Sequence, residues 1–180
     1  MPSHLRLHLA AASLALTLAL PCTTALAASS NMIATAPAVQ TQLATTHPST
    51  LYMHAQKLFE QGHKDEATVW FYIGQLRFRY HLLAHPELPA DGEPAVMDAL
   101  NATLGQQINE WAGGSIDHWV AAIDQALDWD ARHDNPLTPK DQYATQLAEI
   151  RTGLQGLRQH ILDNADTIRA ERVANGLDNR

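Results

Sequence analysis

The chain has 180 residues, with 12 Lys and Arg against 19 Asp and Glu, a net charge of −7, and one cysteine. That balance argues against nucleic acid or an anionic lipid surface as a partner and favours a basic protein. The lone Cys22 excludes an internal disulfide and a multi-thiolate metal site.

Taken in order, Arg6 precedes an uncharged apolar run from Leu9 to Leu20, followed by Pro21 and Ala25-Leu26-Ala27. A basic start, a short apolar stretch and a small-x-small end are the marks of a signal peptide, here residues 1–27, cleaved after Ala27. The apolar run is 12 residues long. A helix needs roughly 20 to span a bilayer, so the expectation is export to the periplasm without stable membrane insertion. Pro21 suits lipid attachment at Cys22 poorly, and a lipoprotein is not expected. Cleavage removes the only cysteine, one base and no acid, which moves the net charge from −7 to −8. Residues 28–47 are rich in Ala, Thr, Ser, Gln and Pro, with no charge before His47. They read as a disordered linker, with a weak helix around Ala38 to Ala44 as the alternative.

The domain, residues 48–180, opens on a helical hairpin. Pro48-Ser49 starts a helix whose Leu51, Ala55, Leu58 and Phe59 share one face, and Gly62 closes it. The next helix, 65–84, carries Trp70, Phe71, Tyr72, Ile73, Leu76, Phe78, Tyr80, Leu82 and Leu83. It is apolar on nearly every side, so it belongs in the middle of the molecule. The pair resembles a single tetratricopeptide-like repeat. Ala55 stands at the small crossing position of that family, Phe59 at its aromatic and Gly62 at its turn glycine. Asp65-Glu66-Ala67, Phe71 and Gly74 match the repeat's second helix, while its terminal proline position holds Arg79. There is no second copy, so the resemblance implies one repeat-like hairpin with a partner-binding surface and not a solenoid.

His85 to Pro94 is a loop broken by three prolines and a glycine. A third helix is predicted over Ala95–Leu104, ended by Gly105, and then a short polar turn or helix around Trp111, bounded by Gly113-Gly114. Ser115 caps a fourth helix to about Arg132, with Ile116, Trp119, Val120, Ile123 and Leu127 at helical spacing. In the last segment Tyr143, Leu147, Ile150, Leu154, Leu157 and Ile161 recur every three or four residues. Thr138 and Pro139 suit its start and Gly176 its end. Gly153 and Gly156 mark either a close helix approach or a kink. No stretch alternates with period two. The fold class is therefore all-α, a single irregular bundle of about five helices around the central helix 65–84.

Chemistry is sparse. His81 and His85 lie one turn apart and can hold a transition metal, but no carboxylate at matching spacing completes the pair; no metal or cofactor is expected. Asp128 to Asp134 lacks the glycine and spaced oxygens of a calcium loop. Ser49 and Ser115 are explained as helix caps, and no Gly-x-Ser-x-Gly is present. Glu110 with Asp117 and His118 is the one acid–base group in view, as in a cell-wall hydrolase. Gln75, Arg77 and Arg79 interrupt the apolar central helix, either as a polar edge or as the wall of a charged groove. Asn109, Glu110 and Trp111 stand in the glycine-bounded turn, with Trp111 the best candidate for an exposed aromatic contact. These six residues are the candidate partner contacts. The basic-leaning tail, Ile168 to Arg180, reads as a frayed helix end or a partner-binding tag. The chain is thus expected to be an exported, non-enzymatic protein-binding module. In class it looks like the periplasmic immunity proteins that neutralise antibacterial toxins. The alternatives are an envelope scaffold, or a hydrolase using Glu110 and His118.

Overall fold

The computed structural model of the chain describes residues 31–180. The predicted signal peptide, its cleavage point and Cys22 lie outside the described residues. Those described form eight α-helices and one π-helical segment, with no strand among them. In chain order they are α1 (Pro37–Ala44), α2 (Pro48–Glu60), α3 (Lys64–Ala84), α4 (Glu93–Leu100), the π segment (Asn101–Gly105), α5 (Gln106–Gly113), α6 (Ile116–Arg132), α7 (Ala144–Asp163) and α8 (Ala165–Ala174). None is long and apolar enough to cross a membrane.

The all-α bundle is as expected, and α3 is its axis. Of its 21 residues 15 are buried, which only a helix enclosed by others can achieve. α2, α5, α6 and α7 all pack on it. Aromatic rings fill the contacts: Trp70 meets Trp129 of α6 edge-on at 5.1 Å, and Phe71 meets Tyr52 of α2 at 5.3 Å.

The α2–α3 turn follows from Gly62. Its φ of +87° lets Gly62 N–H donate to Phe59 O and His63 N–H to Leu58 O, the paired bonds that finish a helix at a left-handed residue. The two helices then close on Gly74. A Cβ there would lie 2.9 Å from Tyr52 Cδ2 and 3.3 Å from Leu51 Cβ, so the absence of a side chain sets the crossing.

Four boundaries depart from expectation, each for a local reason. The described part of the stretch expected as a disordered linker, residues 31–47, is folded: Ile33, Leu43 and Ala44 are buried, and α1 occupies the middle. The buried Glu66 carboxylate holds it, with Oε1 accepting from Ala34 N–H, Thr35 N–H and Thr35 Oγ1–H at 2.7–3.0 Å. Gly105 does not end the third helix, which runs on through the π segment into α5. Its role is clearance, since a Cβ would sit 3.1 Å from Phe71 Cζ. The seam helix begins at Ala144, because Thr138, expected as its cap, is fully buried and bonded to His81. Finally, the break near the C-terminus falls at Asn164, between α7 and α8, and not at Gly153 or Gly156. Ser115 does cap α6, accepting from His118 N–H.

Candidate functional site

The six predicted partner contacts fall into three different places. Arg77 is the clearest correction: it is 1 % exposed and lines no surface. Its Nε donates to Asp130 Oδ1 at 3.0 Å, Nη1 to Ala44 O at 2.6 Å, and Nη2 to His133 O and Asp134 O, both at 3.0 Å. Ala44 ends α1 and His133 follows α6, so the guanidinium satisfies carbonyls that those helix ends leave without partners. It also lies 4.8 Å from the Trp129 ring centroid. Asp130, 0 % exposed, is shared with Lys140 at 3.4 Å and Arg151 at 3.5 Å. Burial lowers the Arg77 pKa from its ordinary value, and the Asp130 carboxylate opposes that shift. This is a structural knot of α1, α3, α6 and α7, and a partner cannot reach it.

Gln75 and Arg79 point the other way. They line a groove of about 420 Å³ between α3 and α7, with Leu76, Ile150, Leu154 and Leu157 as its apolar lining and Glu149 on its rim. Gly153 lines it too, and a Cβ there would touch nothing within 4 Å. The seam residues of α7 therefore pack on α3 only in part, and α7 leaves a furrow where its glycine stands. Gln75 Nε2 donates to Asn101 Oδ1 at 3.2 Å, while Arg79 is exposed.

Glu110 and Trp111 line a second cleft, of about 480 Å³, with Phe59, Lys64, Arg172 and Arg180. Trp111 is not the exposed aromatic expected. It is half-buried, donates from Nε1 to Asp65 Oδ1 at 2.8 Å, and has Lys64 Nζ 4.6 Å and Arg180 Cζ 3.3 Å from its ring centroid. The tail expected to fray folds back on α5: Arg172 donates to Glu110 O, and Arg180 to Trp111 O. His118 Nδ1 pairs with Asp65 Oδ2 at 3.1 Å, so its imidazole is oriented by a carboxylate of α3. Asn109 is exposed, its Oδ1 accepting from Tyr72 O–H at 3.0 Å. Burial pushes the Tyr72 phenol up to about 12, against a lowering by its hydrogen bond with Trp119. The two clefts stand apart, because Lys64 and Arg79 are 15 residues apart on α3, or about 22 Å at the helical rise.

The histidine pair resolves differently from its spacing. His85 Nδ1 lies 3.2 Å from Glu87 Oε1. His81 turns instead to Glu93, its Nε2 3.1 Å from Oε2, and His47 Nε2 lies at the same distance from that oxygen. Burial lowers the His81 pKa from 6.5; Glu93 opposes that shift, while His85 and His47 add to it. Neither His47 nor Glu93 stood out in sequence, for they lie 34 residues before and 12 after His81.

No family model matches the chain, and neither do curated proteins or solved structures. The tetratricopeptide resemblance of the hairpin finds no support in these comparisons.

Proposed function

We propose that this chain is an exported, non-enzymatic protein-binding module of the immunity-protein class, which takes an apolar segment of a basic toxin into the α3–α7 groove. The observation that carries the reading is that groove: four apolar side chains under a rim of Gln75, Arg79 and Glu149, left open at Gly153. An apolar lining with a few polar groups at its edge is the usual make-up of a binding cleft, and the rim offers a donor and an acceptor to fix the orientation of a bound segment. The basic partner follows from the net charge of −8 on residues 28–180. Export rests on the sequence of residues 1–27.

The test is affinity capture from periplasmic extract with the wild type and with Gly153→Leu, which extends into the groove from a position where an added Cβ meets nothing within 4 Å. One basic protein retained by the wild type and lost by the variant supports the reading. Recovery of an envelope assembly points to a scaffold instead, and retention that Gly153→Leu leaves unchanged removes the groove. Cell-wall digestion that is lost in Glu110→Gln would favour the hydrolase.

A further inference from the structure

We propose that His47, His81 and Glu93 form a binding site for one divalent transition-metal ion of the zinc class. The three ligand atoms, one from each residue, lie within 4.8 Å of one another. They arrive from three separate elements: the residue before α2, the last turn of α3 and the first residue of α4.

Two of the three spacings are close to what such an ion requires, and the third, between the two imidazoles, is within 4.8 Å. Each Nε2 is 3.1 Å from the same Glu93 Oε2. Tetrahedral zinc with bonds of about 2.0–2.1 Å sets its ligand atoms about 3.3 Å apart, so these contacts need to open by only a few tenths of an ångström. Two imidazole nitrogens and one carboxylate oxygen are a donor set suited to zinc. The ion replaces the protons that now bridge the nitrogens to Glu93.

The remaining ring nitrogens are already provided for. A metal on Nε2 leaves the proton of a neutral imidazole on Nδ1, where it needs an acceptor. His81 Nδ1 is 2.8 Å from Thr138 Oγ1, and His47 Nδ1 is 2.8 Å from Ser49 Oγ. Thr138 is itself fixed, its N–H donating to Asn135 Oδ1. At present His47 Nδ1 also accepts from Ser49 N–H to cap α2; metal binding exchanges that bond for donation to the Ser49 hydroxyl. His81 is buried, whereas the His47 and Glu93 side chains are 35 % and 34 % exposed. The ion therefore has a route in and a side open to water, as in zinc sites with three protein ligands.

The experiment is titration of the tag-free chain with Zn²⁺ by calorimetry and with Co²⁺ by visible absorption, plus thermal unfolding with and without Zn²⁺. The chain has ten histidines, so the variants carry the argument. The expected result is saturable uptake of one ion with a raised Tm. Affinity falls at least tenfold in both His47→Gln and Glu93→Gln, and is kept in His85→Gln and in His160→Gln. Circular dichroism confirms that each variant is folded. Absence of saturable uptake by the wild type overturns the proposal. So does uptake that His47→Gln and Glu93→Gln leave intact, which assigns it to other histidines. Loss confined to His85→Gln assigns it to the adjacent His81–His85 pair and overturns it too. If Glu93→Gln lowers Tm equally with and without Zn²⁺, the cluster is a hydrogen-bonded brace only.

Discussion

Arg77 and Arg79 sit two residues apart on one helix, and they live in different worlds. A step of two residues turns a helix by about 200°, which sends Arg77 into the knot with Asp130 and Arg79 to the groove facing α7. On the first side α3 is walled in by α2, α6 and the N-terminal segment, and the Arg77 guanidinium is matched to Asp130 and three carbonyls. On the second, α7 leaves a furrow. The same residue type is a structural cation on one side and a surface contact on the other, so enclosure decides its role and chemical identity does not.

The sharpest way to break the comparison is Arg77→Met. It leaves Asp130 buried beside the more distant Lys140 and Arg151, and takes the donors from Ala44, His133 and Asp134 carbonyls. Breaking a buried ion pair costs about 3–5 kcal/mol, which urea unfolding would read as a large drop in midpoint. Pairing it with Asp130→Leu should recover part of the loss, because the fully buried carboxylate is then gone and only the part-exposed Lys140 and Arg151 lose a partner. Next in size is Gly74→Ala on the walled side. The new methyl collides with Tyr52 and Leu51, and overpacking of this kind costs about 1–3 kcal/mol. A Tm equal to wild type would show that α2 slides freely, against the packing described.

The walled side was more legible in the sequence than its boundaries were. The period of Leu51, Ala55 and Leu58, the aromatic density of α3 and the glycine at 62 fix a hairpin with its second helix inside. The knot left a trace as well. Ile116, Val120, Ile123 and Leu127 step by four and three residues, and Asp130 is the next position on that stripe. Glu66, Trp70, Ile73 and Arg77 do the same on α3. A charge on an apolar stripe has to be paired, so Arg77 was readable as buried, though its partner was not: the two are 53 residues apart. Glu66 was hidden differently, because two of the four groups that donate to it are backbone N–H, which any sequence supplies. For the same reason an uncharged stretch looked like a linker. His47 and Glu93 meet His81 only because the loop after α3 returns Glu93 to the helix end, and no local spacing encodes that.

Acidification probes the walled side with a smaller effect. His54 lies edge-on to Trp70 at 4.9 Å and within 3.1 Å of Thr35 Oγ1. Burial lowers its pKa below 6.5; Glu66 opposes the shift and Lys57 adds to it. The unfolded chain therefore binds the proton more readily. The contribution of His54 is fully present above about pH 6.5 and is lost as pH falls from there toward the folded-state value. Urea midpoints measured on both sides of that value should fall with acid, and His54→Gln should flatten the slope. A slope that the variant leaves unchanged would place the titration elsewhere.

On the open side the sign reverses. Gly153→Ala adds a methyl that meets nothing and removes a glycine from a helix, a gain of about 0.5–1 kcal/mol. The same substitution thus destabilises at Gly74 and stabilises at Gly153, and two thermal scans decide the matter. If both lose stability, α7 lies closer to α3 than a furrow allows.

The smallest stability change belongs to the other arginine. Arg79 is exposed and lies at the rim of the groove, and surface substitutions of this kind stay within about 0.5 kcal/mol. Arg79→Ala should therefore unfold at the wild-type midpoint while weakening capture of the groove's partner, since a rim cation orients a bound segment and holds no helices together. If Arg79→Ala instead costs as much as Arg77→Met, then α7 is fastened to α3 through this side chain. The furrow would then be part of the core, and Arg77 and Arg79 would share one role.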